Sequence, residues 1–406
     1  MKGRFGVEGK QALSYKVLDL THYIAGPYCT LILAALGAEV IKVEKPGAGD
    51  GARRLGPFFK DDPHPEKSGL FLSLNHNKKS ITLNLKTETG IKILKELVKE
   101  VDVVVENFRP GVMARLGLDY EVLNQINPAL VMTSISNFGQ TGPYRDYKAT
   151  ELIIEAVGGL AYGIGDYDRE PIKYGLTQIQ YDAGKTAALA TMMALYRRSR
   201  DGLGQHADVP IVENAMFITE SLRLISYIFL GAVGRRSPRI GGAVTMDKYL
   251  KAKDGWVLPI FYGYVDWYEF ARFMESEELA KPEYESMEGR LLHCAEVEEI
   301  MAKIVEKWNK REMYRKAMDW RMTWAVVQTP DEVAACPHLR ERGFYTEVDH
   351  PVVGRLRYPG LPFQMSESPW HLSRAPLLGE HNEEIYMGRL GYTKEDLTRL
   401  RERGVI

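Results

Sequence analysis

The chain has 406 residues, with 53 Lys and Arg against 54 Asp and Glu, so its formal charge is −1 and no field of one sign dominates it. Proteins that grip nucleic acid or an anionic membrane rely on excess basic charge, and the near balance argues against both tasks. Hydrophobic residues at 45% and charged residues at 26% describe an ordinary globular chain of about two or three domains, and exclude disorder and fibre.

In chain order, residues 16–20 read as a buried strand, 26–36 as an apolar helix and 39–44 as a second strand. Two strands around one helix make a βαβ unit, whose strands run parallel and whose crossover is right-handed. A strand at 81–85 is closed by Lys86. Residues 89–99 then put Ile91, Leu94, Leu97 and Val98 on one helical face, 101–105 is a strand, Asp119 caps a short helix, and 130–135 is a further strand. The first third is therefore an expected open parallel α/β sheet with helices on both faces. Residues 150–198 turn helical, ending in an Ala- and Met-rich helix at 183–198, with a strand at 206–211 and a long helix from 212 to about 231. The tract GRRSPRIGG at 234–242 reads as a linker, since Gly, Pro and clustered charge disfavour helix and strand interiors. Beyond it come a strand pair at about 247–252 and 256–261, an aromatic helix from Tyr264, a charged helix at 296–318 and a strand at 324–328. Short strands and a helix at 394–403 close the chain.

Cys29, Cys294 and Cys336 are few, odd in number and far apart, so neither a disulfide framework nor a CxxC pair can be built from them. A reducing cytosol is the expected compartment. The first sixteen residues lack the apolar core of a signal peptide, and the most apolar stretch, near Ile225, is about half a membrane span.

The glycines at 47, 49 and 51 follow a strand but lack GxGxxG spacing, so phosphate cradling of the dinucleotide type is unsupported. At the first βα turn, Pro27 suits the first position of a helix, and a helix start at a strand's C-terminal end is either an anion site or an ordinary cap. Lys86, Arg109 and Arg115 recur at loops where open α/β sheets place ligands, and basic groups at several loops of one sheet edge favour a polyphosphate. Asp182, before Ala183 and Gly184, reads first as a helix N-cap, and second as a carboxylate nucleophile toward acyl carbon, which the same helix start would keep ionised. The nine histidines show no metal-binding spacing, and no GxSxG marks a serine hydrolase.

Taken together, LDLTHYIAGPYCT, LGAEVIKVEKPGAGD, LNHNKKSITLNLKT, VVVENFRPGVMARLGLDY, SISNFGQTGPY, YDAGKTAAL and RAPLLGEHNEEI resemble the class III coenzyme A transferases of the CaiB/BaiF type, which include formyl-CoA:oxalate and carnitine CoA-transferases. These stretches run in family order from about residue 16 to residue 386. The resemblance implies a Rossmann-like large domain built from both chain ends (1–233 and 336–406), a smaller α/β domain at 234–335, and an interlocked dimer. It implies Asp182 as the catalytic residue, with coenzyme A (CoA) contacts at Ile24, Ala25, Lys45, Leu83, Lys86, Asn107, Phe108, Arg109 and Arg115. CoA and acyl-CoA would be substrates, with a carboxylic acid as the acceptor; no tightly bound cofactor, metal, nucleic acid or membrane partner is expected. Ile24 stands where some members carry Gln, and Asn137 interrupts the usual SGFGQTGP.

The mechanism so implied is attack of Asp182 on a donor thioester, followed by an anhydride and an aspartyl thioester. Glycines such as Gly241 and Gly242 are candidates for oxyanion stabilisation. The related α-methylacyl-CoA racemases need a second acid/base His, and Thr150 stands in its place here, which favours the transferase. A subunit of a hetero-oligomeric transferase is the other alternative. Arg145 and Lys148 are candidates for holding the distal carboxylate of a dicarboxylic acid, with surface solvation as the plainer role.

Overall fold

A computed structural model of the chain describes residues 11–165, 168–217, 221–233, 248–261 and 266–406. The expected linker at 234–242, the first residue of the expected 247–252 strand, Gly241, Gly242 and Tyr264 lie outside the described residues. The chain divides into two compact units, Met1–Leu160 with Tyr174–Ser221 and His338–Ile406, and Ala161–Lys173 with Leu222–Pro337.

The first unit is built on six parallel strands: β1 (Lys16–Asp19), β2 (Glu39–Glu44), β3 (Lys78–Thr82), β4 (Val103–Glu106), β5 (Val131–Ser136) and β6 (His206–Pro210). Their order is β3-β2-β1-β4-β5-β6, so the chain reverses direction across the sheet between β1 and β4. That switch point is where open α/β sheets hold ligands. Strand residues alternate between two cores. Val17, Val40, Val103, Val105 and Val131 face the helices Ala25–Ala35 and Gln178–Asp201, whereas Leu18, Ile41, Ile81, Val104 and Met132 face Glu88–Val98 and the C-terminal Lys394–Glu402 helix. A parallel sheet buried on both faces explains why these strands read as nearly continuous hydrophobic runs.

The C-terminal segment is stitched to the β3 edge. Asn382 Oδ1 accepts the Thr82 N–H at 2.8 Å, Tyr386 OH donates to the Thr82 carbonyl at 2.7 Å, and the Asn84 N–H donates to the Val405 carbonyl at 2.7 Å. The second unit has a three-stranded antiparallel sheet of β7 (Leu250–Ala252), β8 (Gly255–Pro259) and β9 (Trp324–Val326), with aromatic residues such as Trp267, Phe270 and Phe273 in its core. A hairpin of β10 (Tyr345–His350) and β11 (Gly354–Pro359) belongs to the first unit.

Several expected boundaries move. The strand expected at 81–85 is β3, three residues earlier. The charged helix expected at 296–318 is two helices, Cys294–Val305 and Lys310–Asp319, because Asn309 is extended (φ −75°, ψ 141°) and restarts the second. The helix expected from 183 begins at Gln178 with Thr177 at its cap, so Asp182 lies in the second turn and does not cap it. The expected 212–231 helix falls on the helical segments Ile211–Ala215 and Ser221–Leu230, with residues 218–220 outside the described residues.

Under the first βα turn sits a fully buried ionic cluster. Lys42 Nζ lies 2.9 Å from Asp50 and 3.9 Å from Asp19, and donates to the Thr21 carbonyl at 2.8 Å. Lys78 Nζ adds 3.0 Å contacts to Asp19 and to the Pro27 carbonyl. Burial pulls Lys78 down to about 8, against the pull of Asp19. Burial alone would raise Asp19, but Lys42 and Lys78, with hydrogen bonds from Thr21 and Thr30, hold it far below the carboxylate range. Beside the cluster, Arg53 makes a two-point pair with Glu44 at 2.7 and 2.8 Å and lies 3.6 Å over the Phe71 ring.

Removing one partner of such a pair leaves an uncompensated buried charge. Lys42→Met is therefore expected to cost about 3–5 kcal/mol in urea unfolding, far beyond the effect of a surface Lys→Met change. A second prediction concerns Glu106, whose buried carboxyl is pushed up to about 7 by desolvation despite hydrogen bonds from Ser134 and the Phe108 N–H. The folded chain keeps this proton to about pH 7, while the unfolded chain loses it near 4.5, so the stability contributed by Glu106 falls as pH rises between those values. Glu106→Gln is expected to remove roughly 3 kcal/mol of that pH dependence, measured as unfolding free energy at pH 4.5 and pH 7.5.

Candidate active site

The loops after β1, β2, β3, β4 and β5 meet at the C-terminal edge of the sheet. In the first of them Tyr23 has a left-handed backbone (φ 68°), a costly conformation for a bulky residue. It is held by its own N–H, which donates to Asp50 Oδ1 at 3.0 Å, and by Asn107, whose side chain accepts from the His22 N–H and donates to the His22 carbonyl, both at 2.8 Å. Asp50 in turn is fixed by Lys42, so the buried cluster sets the turn's shape. The glycine tract serves this packing. A Cβ on Gly51 would stand 2.4 Å from the Tyr23 ring.

Two cavities open at this edge. The smaller, about 420 Å³, is mainly apolar, with Leu20, Val43, Leu83, Leu85, Phe108 and Leu116 on its wall and Lys45, Lys86 and Arg115 beside them. The larger, about 640 Å³, is lined by Tyr23, Ile24, Asn107, Phe108, Arg109 and Arg115. The end of β5 (Ile135, Ser136, Asn137), residues 145–151, and Thr177 and Gln180 line it as well. Phe108 and Arg115 line both cavities, which therefore adjoin. Lys45, Lys86, Arg109 and Arg115 are all exposed, and none is paired with a carboxylate among the described residues.

Of the residues singled out from the sequence, Ile24, Lys45, Leu83, Lys86, Asn107, Phe108, Arg109 and Arg115 thus surround one pair of cavities. Ala25 is on neither wall. It begins the first helix, fully buried, and its carbonyl would be 2.6 Å from a Cβ on Gly184. This close approach sets the long Gln178–Asp201 helix against Ala25–Ala35 through a stripe of Ala183, Gly184, Ala187 and Ala188. Asp182 is also on neither wall. Its carboxylate is paired with Lys185, and Tyr28 lies close enough to feel both charges. Gln180 and Thr177, three residues apart on one face, are what the helix gives to the larger cavity. At 3.6 residues per turn, Asp182 is about 200° around the helix from Gln180.

Residues 145–151 bring Arg145, Lys148, Thr150 and Glu151 to the larger cavity. Arg145 pairs with Asp146 at 3.2 Å. Glu151 is buried, and its Oε1 accepts the Ile179 N–H at 2.7 Å, satisfying a donor in the first turn of the long helix. Asn137, the departure from the usual motif, donates from Nδ2 to the Ala149 carbonyl at 3.0 Å and ties this segment to the end of β5. Ser136, Glu151, Thr177 and Gln180 were not singled out from the sequence. The one available signal was the i, i+3 pair Thr177 and Gln180 at a helix start, which is weak unless the sheet edge it faces is known.

No group of three or more His, Cys, Asp or Glu able to hold a metal occurs among the described residues, and none of their helices is long and apolar enough to cross a membrane. The sequence matches the profile of CoA-transferase family III over residues 14–382. It is 34% identical to a succinyl-CoA–D-citramalate CoA-transferase of Chloroflexus aurantiacus, over 96% of this chain and 97% of that one. It is likewise 34% identical to a formyl-CoA:oxalate CoA-transferase of Rhodopseudomonas palustris, over 96% of each chain. A crystal structure of a CaiB/BaiF family protein from Brucella suis superposes with a TM-score of 0.85 at 28% identity, covering 94% of this chain and all of that one. A match that spans nearly the whole sequence, together with the shared fold, makes this chain a member of CoA-transferase family III.

Proposed function

We propose that the chain moves CoA from an acyl-CoA donor to a carboxylic acid, with the nucleotide end of CoA in the smaller cavity and the thioester end in the larger. The observation that carries this reading is the set of exposed cations without carboxylate partners, Lys45, Lys86, Arg109 and Arg115, between an apolar slot and a polar one. Leu20, Leu83, Leu85 and Leu116 suit a flat base, the cations suit phosphates as unpaired point charges or forks, and Phe108 lies where the pantetheine arm would cross. The homodimer implied by the resemblance belongs to the same proposal.

In this reading the Asp182 carboxylate attacks the thioester carbonyl and expels CoA thiolate, leaving an acyl–aspartyl anhydride. The thiolate attacks the aspartyl carbonyl of the anhydride and releases the donor acid, leaving an aspartyl thioester. The acceptor carboxylate then runs the same steps in reverse and leaves with CoA. For this chemistry Lys185 must release Asp182, and the carboxylate must come round to the thioester. Thr150 on the wall of the larger cavity favours transfer over racemisation, since a hydroxyl is no acid/base partner near neutral pH.

A second reading has its own observation. Because Gln180 and not Asp182 is on the cavity wall, a related subunit could supply the nucleophile to this chain's CoA site. Mass spectrometry of the purified chain with succinyl-CoA, alone and with any co-purifying related chain, separates the two. The first reading expects a CoA-sized adduct on the Asp182 peptide, and a loss of transfer by at least about a thousandfold in Asp182→Ala. Transfer that is unaffected in Asp182→Ala, with no adduct on that peptide, sinks it. An inactive isolated chain that gains transfer and an adduct only on its partner establishes the second.

A further inference from the structure

The larger cavity is lined by uncharged polar side chains as well as by cations. Phe108 and Arg115 are shared with the smaller cavity, while Ser136, Thr177 and Gln180 line only the larger. Ser136, the last residue of β5, is only 6% exposed, and its hydroxyl has no hydrogen-bond partner among the described residues. Gln180 is half-buried at the start of the long helix, and its amide makes no hydrogen bond to any described residue. A buried hydroxyl without a partner is unfavourable, and on a cavity wall the partner it lacks can come from a ligand.

Resting on the CoA-site reading above, we propose that Ser136 and Gln180 form the acyl-recognition wall and select an acyl group carrying a second oxygen function, a hydroxyl or a carboxyl, over a plain hydrocarbon chain. A hydroxyl and an amide both donate and accept, so they can bind either group without needing a counter-charge. A purely alkyl chain in the same place would leave both side chains unpaired and dry, which is the situation in which a polar site discriminates most strongly. The helix that carries Gln180 is pressed on Ala25–Ala35 at Gly184 and tied to Glu151 at Ile179, which fixes its backbone at the cavity. Lys148 and Arg145 are a separate electrostatic source of preference for a carboxylate, which makes the uncharged hydroxyl the cleaner probe.

Isothermal titration of the full chain with free CoA, butyryl-CoA, 3-hydroxybutyryl-CoA and succinyl-CoA tests this. Wild type is expected to bind the hydroxyacyl and succinyl thioesters at least tenfold more tightly than butyryl-CoA. Ser136→Ala and Gln180→Met are each expected to cut that preference to about threefold or less, while affinity for free CoA stays within about twofold. Equal binding of the butyryl and hydroxybutyryl thioesters by wild type overturns the proposal, as does a preference that survives both substitutions. If wild type binds no CoA at all, the CoA-site reading itself fails, and that result is distinct from CoA binding without acyl selectivity.

Discussion

Lys42 holds two carboxylates, Asp19 and Asp50, in a place that water does not reach. Charges moved out of water cost several kcal/mol each unless their partners are close and their remaining hydrogen bonds are made. Most of them are: Thr21, Thr30, Lys78 and the Ala52 N–H serve the carboxylates, the Thr21 and Pro27 carbonyls serve the ammonium groups, and Asp50 Oδ2, which takes no hydrogen bond, lies 2.9 Å from Lys42. The reward for satisfying the cluster is geometric. It clamps the turn after β1 from beneath, so that a strained Tyr23 and the backbone around His22 and Ile24 face the cavities in one conformation.

The second constraint is close packing by small residues. Ala183, Gly184 and Ala187 let the long helix approach the first helix until backbone meets backbone, and Gly184 leaves no room for a larger side chain. That contact sets which face the helix offers in this structure. Its register gives Thr177 and Gln180 to the larger cavity and turns Asp182 toward Tyr28 and Lys185. Charge is distributed in the same economical way. Lys42, Lys78 and Arg53 are neutralised inside the first unit, whereas Lys45, Lys86, Arg109 and Arg115 are exposed and without carboxylate partners among the described residues, so a molecule with a net charge of −1 still gathers four unpaired cations around two adjoining cavities.

Much of this was legible beforehand. Apolar runs at β1, β2, β4 and β5 fall almost where expected, because a strand buried on both faces needs little from context to be recognised. The loop motifs were legible too, since Asn107, Phe108 and Arg109 directly follow a strand at the edge where open α/β sheets place ligands. Boundaries were harder. Asp182 before Ala183 has the local chemistry of a cap, yet the helix starts at Gln178, five residues before Ala183, where Glu151, distant in sequence, accepts the Ile179 N–H. Lys42 and Asp19 were not singled out from the sequence, and only the packed sheet makes them a buried pair.

The order of the amino acids therefore determined the α/β class, the loops that carry the cations and the family, because these follow from hydrophobic period and from short contiguous motifs. Which side chains share a wall was decided by tertiary structure. The phase of the long helix is set by its contact with a helix some 150 residues away in the sequence, and the Ser136 hydroxyl is left unpaired by what surrounds the end of β5. Neither property is local, and a two-residue step along a helix, from Gln180 to Asp182, is enough to move a side chain from the cavity to the far side of the helix.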